Sequence, residues 1–296
     1  MALVYLKHSE IDKTKWDNCI ENAPNSMPYA LSWYLDIVAK KQWDALILND
    51  YEAVMPLPFN NKLFGFSQIY RPILTQQLGV FGQFSVQELS VFFDNIPNNF
   101  KLIRYPINYK NSNISSETKT NLVLDLLPNF ELVKSNFSHG LKMALIKYSY
   151  QISETGDTDK LIEMYKTELE NTVKFGKENY ALAKKLFSEI IRREMGKIYQ
   201  LTVEDKTVAM AFILSHNNRH INLFSISRYK KQYRDSMGFL LAKIIEKKCY
   251  QMAFFDFEGS EIDGIKKFFL SFGATPQPYY FYTKNTLPFW LKWLRS

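Results

Sequence analysis

Asp256 and Glu258 are the residues of this sequence best placed to move a proton. They lie two apart in the run Met252-Ala-Phe-Phe-Asp-Phe-Glu258, whose apolar core predicts a strand over 252–257, and side chains two apart on a strand share a face. Either carboxylate, its pKa raised by burial, could act as a general base; the other reading of Asp256 is a cap on the turn that follows. Upstream, Arg234-Asp-Ser-Met-Gly238 leads into an amphipathic helix over 236–248. The N–H groups of a helix start can hold an anion, while Ser236 as a simple helix cap accounts for the same loop without a ligand. Gln76 and Gln77, beside Tyr70 and Arg71, are amides in an otherwise apolar extended stretch. They suit hydrogen bonding to a polar substrate, or they mark a surface edge strand.

Metal and disulfide chemistry find no support. None of His8, His139, His216 and His220 has a partner at metal or triad spacing, and His216 and His220 flank a turn where zinc-binding pairs need a helix. Cys19 and Cys249 are far apart and lack a CxxC neighbour.

A chain of 296 residues favours two domains over one. Hydrophobic residues at 46%, with 23 Phe and 18 Tyr, give an aromatic-rich globular core. The net charge of +7 is unevenly spread: residues 1–140 hold 12 basic against 13 acidic residues, and 141–296 hold 25 against 17. A positive second half suits a nucleotide pyrophosphate, a cell-wall precursor or RNA, or reflects solvated lysine faces. The N-terminus lacks a signal-peptide core and no apolar run reaches about 18 residues, so the expectation is a cytoplasmic protein with no stable membrane insertion.

Positioning elements follow from periodicity. Helices are predicted over 11–22, 32–40 (Ser32 as a cap) and 86–95, with a hairpin at 44–48 and 53–57, strands at 66–73, 101–105 and 121–125, and an irregular segment at 75–81. The stretch 134–147 begins the second unit, and 157–170 and 179–194 supply two longer helices. A meander over 196–204, 207–214 and 220–227 follows, then helix 236–248, strand 252–257, helix 263–272 and a last strand 279–283.

Two helices, a meander, a helix, a strand, a helix and a strand is the order of GNAT-type acyltransferases, and the first half repeats it loosely. With Asp256, Gly259, Gly264, Phe268, Phe272 and Gly273 falling on a late motif of Asp-x-x-Gly-Ser and Gly-Ile-x-x-Phe-Lys-x-x-Phe-Gly, the chain resembles the FemABX family of tandem-GNAT proteins. The resemblance implies an α/β (α+β) fold of two GNAT-like domains, each a mixed, mostly antiparallel sheet flanked by helices. They are expected over 1–140 and 141–285, with a tail over 286–296 packing back on the first.

It further implies acyl or aminoacyl transfer to an amine acceptor, a small molecule, peptide or glycopeptide, bound in an interdomain groove. The donor would be an acyl-CoA or, as in FemABX proteins, an aminoacyl-tRNA, although no long tRNA arm interrupts the second domain here. The pyrophosphate of coenzyme A would lie on Arg234, Ser236, Met237 and Gly238, with Met237 where the family wording has a glycine. Ser32, Trp33 and Tyr34 resemble an acceptor-lining motif, and Phe224 and Ser225 fall on the strand beside the reacting groups. The alternative function is a non-catalytic binding module on the same fold, or RNA binding by the basic half.

Overall fold

The computed structural model describes residues 2–63, 65–114, 117–169, 175–228, 231–259 and 261–291. In chain order the strands are β1 (Leu3–Leu6), β2 (Trp43–Leu48), β3 (Ala53–Leu63), β4 (Phe66–Ile69), β5 (Phe81–Gly82), β6 (Phe100–Ile107), β7 (Glu117–Lys119), β8 (Leu122–Asp125), β9 (Gln151–Thr155), β10 (Gly196–Val203), β11 (Lys206–His216), β12 (Arg219–Ser227), β13 (Phe254–Asp256), β14 (Thr275–Pro276) and β15 (Tyr279–Asn285). The helices are α1 (Lys13–Asn22), α2 (Ser32–Val38), α3 (Val86–Asp94), α4 (Phe130–Ser135), α5 (His139–Lys147), α6 (Thr158–Leu169), α7 (Lys177–Arg192), α8 (Ser236–Lys248) and α9 (Asp263–Leu270).

They form two units, Met1–Lys119 with Pro278–Ser296, and Thr120–Gln277. The sequence reading put these boundaries at 140 and 285, and the difference has a definite origin. β8, expected in the first domain, lies between β13 and β14 in the second sheet, whereas β15, expected to close the second sheet, pairs with β6 and β7 in the first. An apolar run such as Leu122-Val-Leu fits the interior of either sheet, so hydrophobicity does not say which one it joins. The stretch 134–147 holds the end of α4 and the whole of α5, with Ser138 capping α5 through Leu141 N–H at 3.3 Å. Of the tail, Thr286 N–H donates to Lys101 O at 2.8 Å and Leu287 is buried, whereas Phe289 and Trp290 are 81% and 60% exposed, and 292–296 lie outside the described residues.

In the first unit the sheet runs β1-β2-β3-β4-β6-β15-β7, with β5 on β3; β4 and β6 are its parallel pair. Asp12 caps α1 by accepting from Thr14 and Lys15 N–H at 3.0 and 3.1 Å. The buried face of α1 then sets Trp16 against Trp43 of β2, ring centres 5.0 Å apart, and Trp16 Nε1 donates to Ala30 O at 2.8 Å. After three register pairs β4 and β6 separate, and the chain itself fills the gap. Leu78 bridges to Ile107, its N–H donating to Pro106 O at 3.1 Å and its carbonyl accepting from Asn108 N–H at 2.8 Å.

The second sheet runs β14-β8-β13-β12-β11-β10-β9, antiparallel except for β12 with β13. Helix α8 covers one face, burying Phe239, Leu240, Leu241, Ile244 and Ile245 with Ala209, Ala211, Ile213, Tyr199 and Leu201 of the strands. The opposite face carries an aromatic chain in which Phe187 of α7 stacks on Phe212 at 4.5 Å and meets Phe224 at 5.2 Å. β11 is thus covered on both sides, which is why its sequence is apolar without alternation.

The gap-filling segment of the first unit depends on Gly79. Its φ is +97°, and a Cβ there would lie 2.2 Å from Asn111 Oδ1, the atom that accepts Val80 N–H at 2.9 Å. Gly79→Ala is expected to cost about 2–4 kcal/mol through left-handed strain and the displaced hydrogen bond; a urea midpoint equal to that of the parent chain would show the segment to be loosely held.

Candidate functional site

The parallel ladder between β12 and β13 is short. It pairs Arg219 with Phe254, His220 with Phe255 and Ile221 with Asp256, and then stops. β13 ends at Asp256, while β12 continues as far as Ser227, paired to β11. From Asn222 to Ser227 its other edge therefore carries no strand among the described residues, unlike the corresponding gap in the first unit. The edge begins at an irregularity: Phe212 faces Phe224 and Ile213 faces Asn222, leaving Leu223 as a bulge. Asn222 and Ser225 stand opposite Ile213 and Ala211, so they face the α8 side of the sheet.

Two buried polar atoms without a partner lie on β12 and on α8, the helix packed on this face of the sheet. Asn222 is 5% exposed; its Nδ2 donates to Ser225 Oγ at 3.3 Å, and its Oδ1 has no donor. Ser236 is fully buried in the first turn of α8, and its Oγ makes no hydrogen bond. An unsatisfied buried acceptor or hydroxyl is costly, of the order of 1–3 kcal/mol each.

Ser236 is therefore the first helical residue and not the cap expected for it. The cap position belongs to Asp235, which makes no side-chain hydrogen bond to the helix and pairs instead with Arg234 at 3.5 Å. The α8 start keeps its N–H groups free of any side-chain cap. Gly238 lies in the buried first turn, where a Cβ would come within 3.1 Å of Leu141 Cδ1; Met237 is partly buried against the core and Arg234 is exposed. Tyr229 and Lys230, upstream of Arg234, lie outside the described residues. Tyr150, which the sequence reading passed over, has its pKa pushed up to about 12 by burial, with Tyr148 and Asp235 adding to the effect, so its phenol is protonated at neutral pH.

Asp256 and Glu258 do not share a strand face. The strand ends at Asp256, and Glu258 takes a left-handed turn, φ +60°, followed by Gly259 at +64°. The Asp256 carboxylate, 1% exposed, pairs with Arg219 Nη1, accepts from Asn121 Nδ2 at 3.3 Å and accepts Glu258 N–H at 2.8 Å. Its oxygens are occupied by structural donors. Phe224 belongs to the aromatic chain on the far face, 4.4 Å from Tyr165, and not to the opening.

The first-unit candidates are likewise engaged. Ser32, the first residue of α2, is not the cap expected for it: its N–H and Oγ both donate to Asp17, at 2.6 and 2.7 Å. Tyr34 is fully buried and donates to Leu74 O, while Trp33 is half-buried, edge-on to Tyr34 at 5.6 Å. Gln77, fully buried, donates to Gln76 Oε1 at 2.9 Å and accepts Tyr109 N–H at 3.1 Å. Both amides are buried, and Gln77 ties the segment to the backbone of Tyr109. Among the described residues no group of three or more His, Cys, Asp or Glu could hold a metal, and no helix is long and apolar enough to cross a membrane.

No family profile and no curated protein matches the sequence. Solved structures do match. Over 96% of this chain and 98% of its own, a crystal structure of FemX superposes with a TM-score of 0.67 at 10% identity. A tandem GNAT protein from the clavulanic acid biosynthesis pathway gives 0.54 at 10% identity, covering 97% and 99% of the two chains. A GNAT-family acetyltransferase from Colwellia psychrerythraea gives 0.53 at 8% identity, over 94% and 97%. The chain has a FemABX/GNAT-like fold.

Within this FemABX/GNAT-like fold the Asp256 network does a further job. Arg219 Nη2 donates to Gln277 Oε1 at 2.8 Å, Gln277 N–H donates to Asn121 O at 3.0 Å, and a Cβ on Gly259 would lie 2.3 Å from Thr120 O. Asn121 and Gln277 are next to the two points where the chain enters and leaves the second unit. One buried ion pair thus holds the end of β13 to both crossings.

Removing one partner of such a pair strands a charge. Asp256→Ala is expected to destabilise by about 3–5 kcal/mol, and the double change Arg219→Met with Asp256→Leu to recover most of it; urea denaturation of the three chains decides, and an unaffected single variant would remove the network from this role. His216, at the β11–β12 turn, has its pKa lowered to about 4 by burial. Its unfolded value is near 6.5, so the unfolded chain gains a proton first as pH falls. Stability should drop between about pH 6.5 and 4, and His216→Gln should flatten that part of a midpoint-against-pH curve.

Proposed function

We propose that the chain transfers an acyl or aminoacyl group to an amine, with the donor held in the opening between β12 and β13. The observation that carries this is the unpaired edge of β12, from Asn222 to Ser227, on the same unit as an α8 start that has no side-chain cap. Both features are unsatisfied in the same complementary sense. The helix start offers N–H donors and a positive dipole end to an anionic group. Asn222 Oδ1 and the strand carbonyls offer acceptors to an amide-bearing arm. An acyl-CoA, with a pyrophosphate at one end and amides along its pantetheine, fits that division; an aminoacyl-tRNA end supplies the phosphate but fewer amide donors.

In the transfer itself the amine nitrogen attacks the donor carbonyl, a C–N bond forms, the bond to the leaving sulfur or oxygen breaks, and one proton leaves the amine. The strand edge contributes by fixing the carbonyl and by presenting backbone N–H groups to the developing oxyanion. Asp256 positions the end of β13 and Glu258 is the carboxylate nearest to it in the chain that could receive the proton.

Thermal unfolding with acetyl-coenzyme A, free coenzyme A and charged tRNA is the direct test. At a ligand concentration of about 100 times Kd the stabilisation is ~2.7 kcal/mol, a shift of several degrees, and Asn222→Leu should remove it. A shift with coenzyme A compounds alone selects the acyl-CoA donor. A shift with charged tRNA alone selects the aminoacyl donor and should weaken steeply with salt. No shift with any of them would make the protein a non-catalytic binding module on this fold.

A further inference from the structure

A second set of groups able to do covalent chemistry lies at the hairpin that joins β11 to β12. Ser215 stands opposite His220 across that hairpin, and its Oγ is 2.8 Å from His220 Nδ1. On the other side of the ring, His220 Nε2 lies 3.4 Å from Gln251 Oε1, in the turn before β13. An amide oxygen only accepts, so Nε2 carries the ring proton, Nδ1 presents its lone pair and the Ser215 hydroxyl donates to it. A hydroxyl held on an imidazole whose second nitrogen is oriented by a third group is the general arrangement of an activated nucleophile. Sequence spacing gives His220 no such partners; the hairpin and the turn before β13 supply them.

The backbone that carries the three residues is held in place. Ser215 N–H donates to Met195 O at 2.6 Å, Phe254 N–H to Asn218 O at 2.9 Å and Gln251 N–H to Leu126 O at 3.2 Å. His220 is buried, Ser215 half-buried and Gln251 exposed, so the base is shielded while the hydroxyl-bearing residue keeps contact with solvent. Burial lowers the His220 pKa and Lys248, in the last turn of α8, adds to the effect, while the Gln251 contact opposes it. Lys197 and Glu154 act on Lys248 in turn, from β10 and β9. At neutral pH the imidazole is therefore uncharged, the form that a general base requires. A base of lowered pKa suits a substrate whose leaving group is a phenolate or thiolate better than one that must expel an amine.

We infer that Ser215, His220 and Gln251 form a second reactive site, in which Ser215 Oγ takes the acyl group of a small activated ester or thioester and passes it to water. The bond from Oγ to the carbonyl carbon forms as the hydroxyl proton moves to His220 Nδ1. The bond to the leaving oxygen or sulfur then breaks, and that proton goes to the leaving group. Water attacks the acyl-serine with His220 again taking a proton, which releases the carboxylic acid and restores the hydroxyl. Gln251 is a positioning residue. The site shares β12 with the donor opening but lies by the C-terminal end of α8, about 18 Å along that helix from Ser236, and it does not depend on the transfer reading.

Labelling of the full chain with a fluorophosphonate probe, followed by peptide mass mapping, tests the assignment alongside hydrolysis of p-nitrophenyl acetate. The label should map to Ser215, and Ser215→Ala should abolish both the label and the turnover of the ester. His220→Gln should slow labelling by about a hundredfold or more. Gln251→Leu should slow it as well, whereas Gln251→Glu should retain it and move the half-point of the pH–rate curve upward, from a parent value below about 6.5. A hydroxyl that merely satisfies a buried imidazole would show neither the labelling nor that movement. Absence of fluorophosphonate label from Ser215 overturns the inference. So does ester turnover that Ser215→Ala leaves unchanged, or a label on Ser215 that persists at the parent rate in His220→Gln. Should His220→Gln fail to fold, the map of the parent chain and the pH–rate curve of Gln251→Glu decide.

Discussion

The buried pair of Arg219 and Asp256 is the contact on which the second unit's working end depends. At 6% and 1% exposure neither charge is solvated, so each requires the other, and the remaining lone pairs and protons are met by Asn121, Gln277 and the Glu258 N–H. Ion pairs of this kind contribute little net stability compared with apolar residues of the same volume, but they tolerate few geometries. Here the geometry being specified is the point where β13 leaves β12. The carboxylate accepts the N–H of the residue two positions on, which starts the turn at Glu258 and Gly259, and that turn packs against Thr120 and Asn121. The strand cannot continue past Asp256 without breaking these contacts.

Each unit contains one parallel strand pair that separates, and the two gaps are treated differently. Between β4 and β6 the chain inserts Leu78, and the inserted backbone is satisfied from several sides: Asn108 N–H donates to Leu78 O, the Tyr105 hydroxyl and Asn111 Oδ1 accept from Gly79 and Val80 N–H, and Asn25 Nδ2 donates to Val80 O at 2.8 Å. Filling the gap uses polar side chains that would otherwise be poor core residues. Beside β12 no such insertion is found among the described residues, and the polar atoms there, Asn222 Oδ1 and Ser236 Oγ, are unsatisfied. The filled gap has an orphan of its own, Asn25 Oδ1; what distinguishes the second gap is that no strand among the described residues pairs with the outer edge of β12 after Ile221.

Much of this architecture was legible in the sequence. The meander, α8 to the residue and the gap-filling segment as an irregular stretch followed from periodicity and turn residues, and the two GNAT-like domains from the resemblance carried by the order of elements and by Asp256, Gly259, Gly264, Phe268, Phe272 and Gly273. The exchange of β8 and β15 between sheets was not, because a strand's own sequence records which faces are buried and not which neighbours bury them. The candidate site was read less well for a related reason. Carboxylates attract notice, yet Asp256 is absorbed by Arg219, 37 positions away, and nothing local announces that partner. Asn222 was passed over although it interrupts the apolar run His220-Ile-Asn-Leu-Phe-Ser; an amide inside a strand that is otherwise core is the kind of signal that marks it. Phe224, one bulge further on, turned to the opposite face, since a single extra residue reverses the alternation that a reader counts on.

The absence of a recognisable catalytic set from the sequence is then what the proposed chemistry would produce. A triad advertises itself because its side chains must be of particular types. Transfer to an amine can instead rely on a backbone edge and a helix start to align the donor, and backbone N–H groups leave no trace in residue identity. What the sequence must supply for such a site is the means of keeping the edge unpaired: a bulge at Leu223, an ion pair that ends the neighbouring strand, and glycine where the turn meets another backbone. Those three features are dispersed over β12, β13 and the turn after it. Their common effect is visible only once the strands are seen to part.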